Sequence, residues 1–118
     1  MKLFLTGAAA CSIVISAPAF AQELQQGTYV NDDDSAKFIF GASTGSFVQY
    51  RSINGNPGTI TIEFRYSLSG STLTMNQTRI SLTDHPMAQS RPADATDVEE
   101  IEIRENAVVI GGIVYRRQ

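Results

Sequence analysis

The sequence predicts an all-β protein, a small antiparallel up-and-down barrel of about eight strands that follows an N-terminal signal peptide. Three observations support this fold class. Residues 59–68 alternate polar and apolar side chains without interruption, which is the period of a half-buried strand. Short apolar segments recur between clusters of turn-forming residues, and no helical periodicity of useful length follows residue 21. A meander of such strands removes its exposed edges by closing, which pairs the last strand with the first.

The first 21 residues have the pattern of a secretory signal peptide, so we expect residues 22–118 to form a single barrel domain. Lys2 supplies the positive charge, an apolar run follows it, and Ala19 and Ala21 are the small residues of the cleavage site. This pattern predicts a periplasmic or secreted protein. A lipoprotein acylated at Cys11 is the alternative, although the apolar run continues past that residue. The mature chain contains no stretch of the ~20 apolar residues that a membrane-spanning helix needs.

Charge and cysteine content narrow the classes of function. The formal net charge is −3, and removal of Lys2 with the signal peptide leaves 8 basic and 12 acidic residues, a net charge of −4. This balance, with scattered arginines, argues against nucleic acid and anionic membrane surfaces as partners. Cys11 is the only cysteine and lies in the signal peptide. The mature chain therefore has no disulfide, thiolate nucleophile or cysteine metal ligand.

The N-terminal part of the mature chain predicts three strands, at residues 27–30, 36–40 and 46–53. The second strand places Phe38 and Phe40 on one face. Mixed alternation in the third strand leaves open whether Phe47 or Val48 faces the core. Residues 54–58 then form the densest turn signal in the chain.

Residues 59–82 predict a long hairpin that contains a bulge. Gly70 occupies the first of two central turn positions, which is typical of a type II′ turn. Apolar residues fall on odd positions from Leu73 but on even positions from Ile80. One extra residue therefore lies within residues 76–79, as in a β-bulge.

Residues 83–96 lack a pattern, and we expect a long irregular loop there, of a length that is commonly functional or mobile. Residues 97–104 resume as a strand with Ile101 and Ile103 inward. The remaining strands are predicted at residues 108–110 and 113–117, on either side of Gly111 and Gly112.

Several of these features resemble the small bacterial periplasmic lipocalin-like barrels. They are the Gly27-Thr28-Tyr29 opening, the central hairpin, and the Gly111-Gly112 pair before Ile113-Val114-Tyr115-Arg116. Those families open with Gly-x-Trp, so Tyr29 stands where they have Trp. In size and compartment the chain is also similar to the periplasmic lysozyme-inhibitor barrels, which usually carry a cysteine pair that is absent here. The resemblance follows the strand order over most of the mature chain and assigns no functional residue.

Two polar motifs invite a catalytic or metal-binding interpretation. His85 with Asp84 and a serine would suggest a nucleophile and its base, but neighbours in an Asp-His-Pro turn seldom point at a common partner. A solvent-exposed loop histidine is the favoured interpretation. Residues 32–34 are three aspartates without the alternate spacing, Gly and distal Glu of a calcium loop, so a charged turn is favoured.

A further set of carboxylates could act as general acids, namely Glu63, Glu99, Glu100, Glu102 and Glu105. The alternation places Glu63, Glu100 and Glu102 on the outer face, which offers no cleft to raise a carboxyl pKa. We therefore expect no enzyme activity, no metal and no cofactor.

The predicted inward side chains indicate what fills the barrel. They are Phe38, Phe40, Ile60, Ile62, Phe64, Tyr66, Leu68, Leu73, Met75, Ile101, Ile103 and Tyr115. An eight-stranded barrel is wide enough for one small ligand and narrow enough for its own side chains to fill it. Short strands favour the filled interior.

Two functions of different classes follow. The leading one is a non-enzymatic protein that binds an envelope protein or hydrolase through its turns and the 83–96 loop, with Asp84, His85, Met87 and Arg91 as contact residues. The alternative is a carrier of a small hydrophobic ligand inside the barrel, lined by Phe38, Phe64, Tyr66 and Met75.

Overall fold

Nine β-strands make up the regular structure of the computed structural model, which describes residues 23–118. The predicted signal peptide lies outside the described residues. The strands are β1 (Gly27–Asn31), β2 (Ala36–Phe40), β3 (Thr44–Ile53), β4 (Asn56–Ser69), β5 (Thr72–Thr83), β6 (Gln89–Pro92), β7 (Thr96–Arg104), β8 (Ala107–Ile110) and β9 (Ile113–Arg117). Residues 23–118 contain no helix that is long and apolar enough to cross a membrane.

Eight of these strands close into a ring in the order β1, β2, β3, β4, β5, β7, β8, β9, and every neighbouring pair is antiparallel. The ring is completed where β1 meets β9, with Tyr29 opposite Arg117 and Asn31 opposite Tyr115. Closure pairs the main-chain N–H and C=O groups along these two strands, which an open sheet would leave unpaired. The predicted all-β barrel of about eight antiparallel strands is confirmed.

The hairpin of β4 and β5 contains the predicted features. Gly70 has a φ of 61° in a two-residue turn between Ser69 and Thr72, as a type II′ turn requires of its first central residue. Glu63 lies opposite Arg79 but Phe64 lies opposite Gln77, which leaves Thr78 without a partner. The bulge predicted within residues 76–79 is therefore confirmed at Thr78.

The C-terminal half of β5 leaves the ring of eight strands. Residues 72–76 of β5 pair with β7, whereas residues 79–82 pair with β6. Likewise, β2 pairs with β3 only as far as Gln49, so the end of β3 extends past the ring together with the start of β4. We call this extension, formed by residues 50–61 and 79–92, the arm.

The arm corrects the prediction of an irregular loop over residues 83–96. Strand β5 continues to Thr83, a turn occupies residues 84–88, and β6 follows before a three-residue link to β7. All four residues of β6 are exposed. Main-chain pairing with β5 shapes this strand, and because it buries neither face, its sequence carries no alternation.

Below the arm, the barrel is filled by a core of buried side chains, which are Tyr29, Ala36, Phe38, Phe40, Phe64, Leu73, Met75, Ile101, Val108, Ile110 and Tyr115. Aromatic rings meet at its centre. The ring centroid of Phe38 lies 5.4 Å from that of Phe40 and 4.9 Å from that of Tyr115. Edge-to-face and offset contacts of this kind add to the stabilisation that burial provides.

The predicted inward side chains face the interior of the barrel, but one of them is exposed, and the prediction omits other inward side chains. Leu68 is 36 % exposed because it lies next to the β4–β5 turn, where no strand covers it. Phe47 lies opposite Phe38 and faces the interior, while Val48 is buried on the outer face between Lys37 and Thr61. The four residues of β8 form a continuous apolar run, and three of them are buried. Alternation alone could therefore not show which of these side chains face inward.

Candidate binding site at the mouth of the barrel

The two ends of the barrel differ in how well they are filled. Turns at residues 40–44, 69–72 and 104–107 close one end, which we call the base. The other end, which we call the mouth, carries the β1–β2 and β8–β9 turns and lies below the arm. A cavity of about 330 Å³ opens at the mouth. Cavities of this size are at the lower end of those that hold small molecules.

The wall of this cavity consists mainly of apolar side chains fixed by cross-strand pairing. Phe38, Phe47 and Ile62 form one row across β2, β3 and β4. Phe64 and Met75 continue the wall on the opposite side of the Thr78 bulge. These residues are held from behind by the buried core, so the wall is already formed without a ligand.

The structure brings together three of the four side chains predicted to line a ligand site. Phe38, Phe64 and Met75 all face the cavity. Tyr66 does not: its hydroxyl donates a hydrogen bond of 2.6 Å to the Gly41 carbonyl oxygen, and its ring packs on Phe40 at 5.2 Å. Tyr66 therefore belongs to the base of the barrel.

Two carboxylates complete the rim of the cavity. Asp97 and Glu99 lie opposite Met75 and Leu73 and line the cavity with the apolar residues. The sequence contained the signal for them. Ile101 faces inward, and alternation along the same strand places the odd-numbered residues Asp97 and Glu99 on that face as well. Glu99 was a candidate carboxylate without an assigned face, and Asp97 was not among the predicted site residues.

The surroundings of Glu99 show how closely its carboxylate approaches the wall. A Cβ atom added to Gly111 would lie 3.0 Å from Glu99 Oε1, so glycine leaves the space that the carboxylate uses. Gly111 also has a φ of 59°, which glycine adopts without strain. Burial raises the pKa of the Tyr115 hydroxyl, and the negative charge of Glu99 raises that pKa further.

Neither inward carboxylate is neutralised by a basic side chain in residues 23–118. Asp97 Oδ2 accepts a hydrogen bond of 2.8 Å from Gln77 Nε2, an uncharged donor. The ion pairs found in this part of the chain join Arg104 to Glu102 and Arg116 to Asp32, both on the protein surface. The mouth therefore combines an apolar wall with net negative charge.

His85 lies at the tip of the arm and is buried, with 9 % of its surface exposed. The prediction of a solvent-exposed loop histidine is wrong. Nε2 lies 2.8 Å from the Ile53 carbonyl oxygen, and Nδ1 accepts a 3.0 Å hydrogen bond from the Met87 main-chain N–H. A neutral ring with its proton on Nε2 satisfies both contacts. Both ring nitrogens thus hold the turn together.

The other predicted contact residues lie around this turn and away from the mouth. The Thr59 hydroxyl donates a 3.3 Å hydrogen bond to Asp84 Oδ2. Met87 is 57 % exposed, and Arg91 lies opposite Ile80. The four residues therefore share one region, although His85 faces inward.

The aspartates of residues 32–34 stabilise the β1–β2 turn. Asp33 Oδ1 accepts a 2.9 Å hydrogen bond from the Ser35 main-chain N–H, and hydrogen bonds from Ser35 lower the pKa of this carboxyl. Asp34 has a φ of 61°, a left-handed conformation that aspartate tolerates in turns. These contacts match the charged turn that the sequence predicts.

A larger depression of about 880 Å³ lies at the base. One wall is formed by residues 23–26, which directly follow the undescribed segment, and polar side chains such as Arg104 and Arg117 line much of it. The mouth has strand residues on all sides and a more apolar wall, so it is the better-formed site.

Comparison with protein-family models, curated proteins and solved structures finds no match to this chain. The closed eight-stranded antiparallel barrel is compatible with the resemblance to lipocalin-like barrels. Such a fold is consistent with a binding protein, and a more specific function has to be inferred from the site itself.

Proposed function

We propose that this protein is a non-enzymatic binding protein that holds a small, largely apolar molecule in the mouth of its barrel. The observation that carries the proposal is the open cavity of about 330 Å³ whose wall includes Phe38, Phe47, Ile62 and Phe64. Burial of apolar ligand surface against this wall supplies the driving force, at about 25 cal/mol per Å². In the periplasmic or secreted location expected from the signal peptide, the protein would act as a carrier.

The close packing of the cavity wall supports this function. Phe64 packs against Phe38 and Phe40 with centroid distances of 6.3 and 6.2 Å, and all three side chains are buried. A site that is ordered before binding loses little conformational entropy when the ligand arrives. The cavity can therefore bind a ligand that makes few polar contacts.

A second candidate function is the binding of an envelope protein by the arm. The observation that favours it is the half-buried face of Ile60, Ile80 and Leu82, which continues the interior of the barrel beyond the ring. The exposed side chain of Met87 lies near this face, at the tip. Contacts with a protein partner would then involve the predicted residues Asp84, His85, Met87 and Arg91.

One experiment separates the two functions. We expect the neutral fluorescent probe N-phenyl-1-naphthylamine to bind the wild-type protein and Ile62→Trp to weaken its binding roughly tenfold or more, because the indole fills the cavity. Thr61→Trp is the matched control, since the neighbouring residue of the same strand faces outward and should leave affinity unchanged.

The double variant Met87→Ser/Arg91→Ser changes the arm and spares the mouth. It should bind the probe like the wild type if the mouth is the site. Loss of probe binding in this variant, together with full binding by Ile62→Trp, would move the site to the arm. Thermal melts of each variant establish that the fold is retained.

A further inference from the structure

The mouth cavity has a charge that an apolar carrier does not need. Asp97 and Glu99 are on its rim, on the inward face of β7, where alternation would ordinarily place apolar residues such as Ile101. Glu99 is half-buried, and Asp97 is exposed at the opening. Residues of the same strand that face outward, Glu100 and Glu102, have no part in the cavity.

The two carboxylates restrict which ligand can fill the cavity favourably. A neutral apolar ligand that covers the rim removes water from both groups without replacing their hydrogen bonds, which is unfavourable. An anionic ligand adds repulsion between like charges. A ligand with a positive charge at the rim compensates for the lost water through charge-assisted contacts.

The aromatic wall favours the same class of ligand. The rings of Phe38, Phe47 and Tyr115 line the cavity that the carboxylates border. Aromatic faces attract organic ammonium groups through their quadrupole, and the attraction strengthens when the cation is desolvated. The raised pKa of Tyr115 keeps its phenol uncharged at neutral pH, beside the negative charge of Glu99.

We propose that the mouth selects an organic ammonium ion with an apolar body, and that Asp97 and Glu99 determine this specificity. The inference rests on the proposed function, because it assumes that the mouth holds the ligand. The apolar part contacts the wall around Phe47 and Ile62, and the ammonium group lies at the rim between the two carboxylates and the ring of Tyr115.

Three probes of eight carbons each test the specificity by isothermal titration calorimetry, namely octylammonium, 1-octanol and octanoate. We expect the wild-type protein to bind the ammonium about tenfold to a hundredfold more tightly than the alcohol, the ratio that one charge-assisted contact supplies. Octanoate should bind most weakly. Raising the salt concentration should reduce the preference for the cation.

A pair of matched double variants assigns the preference to the rim. Asp97→Asn/Glu99→Gln should abolish the difference between the ammonium and the alcohol while the alcohol still binds. Glu63→Gln/Glu100→Gln removes the same charge from the outer face and should retain the preference. Equal loss in both variants would mean that net charge, and not the rim, attracts the cation, which overturns the inference.

The outcomes also distinguish this inference from the function on which it rests. If the wild type binds the alcohol or octanoate as tightly as the ammonium, the specificity is refuted and the carrier function stands. If none of the three alkyl probes and no N-phenyl-1-naphthylamine binds, the carrier function fails and the inference fails with it.

Discussion

The base of the barrel and the arm are built from the same strands but are stabilised differently. At the base, Phe40, Leu73 and Val108 are almost completely buried, and every strand has two neighbours in a closed ring. In the arm, main-chain hydrogen bonds persist, while β6 is fully exposed and the inner face is only half-buried. Main-chain hydrogen bonding with only partial burial thus extends the sheet beyond its core, and we expect such a region to open more readily than the core.

The largest expected effect comes from Phe64→Ala, which removes a ring that is 2 % exposed and contacts three other aromatic rings. We expect a loss of about 3 to 5 kcal/mol in the free energy of unfolding, measured by urea denaturation. Ile80→Ala in the arm is the comparison and should have a smaller effect, because Ile80 is only partly buried. Equal losses would show that the arm unfolds together with the barrel.

His85→Ala sharpens the comparison by acting on the arm alone. It removes the contacts of the ring with Ile53 and Met87, and each lost hydrogen bond should weaken the arm by about 1 kcal/mol. Hydrogen exchange should become faster in the arm, and exchange in β8 should stay unchanged. Faster exchange throughout the barrel would contradict the separation of the two regions.

The smallest effect concerns alkaline pH and the tyrosines of the barrel. Burial raises the pKa of Tyr29, Tyr66 and Tyr115, so the folded protein holds these protons more tightly than the unfolded chain does. Their contribution is therefore fully present below the unfolded pKa near 10 and is lost as pH rises through the higher folded values. Urea denaturation between pH 8 and 11 should show this decline, and Tyr115→Phe should make it shallower. A decline equally steep in this variant would exclude Tyr115 as a contributor.

The features that sequence analysis predicted correctly are those that burial imposes on the pattern. The β4–β5 hairpin and its bulge at Thr78 were predictable because apolar side chains must return to one face, so an inserted residue shifts their parity. The same parity was available for Asp97, but a carboxylate at an inward position is unusual, and an apolar interior gave no reason to expect it.

The features that sequence analysis missed depend on distant partners. Strand β6 is shaped by pairing with β5 and buries no face, so no periodicity marks it. His85 is buried because its ring reaches the main chain at Ile53, 32 residues earlier. Neither contact has a local signature in the sequence, since each is determined by how the arm folds back on itself.

The pairing of β1 with β9 has a consequence for how the barrel is completed. Tyr29 lies opposite Arg117, and 117 − 29 gives a separation of 88 residues. Closing a loop of this length has a high entropic barrier, so this contact should form late in folding. Until β9 is available, β1 and β8 each present an open edge to other molecules. A newly synthesised chain is therefore most prone to aggregate during this interval, and a chaperone that covers either edge would protect it.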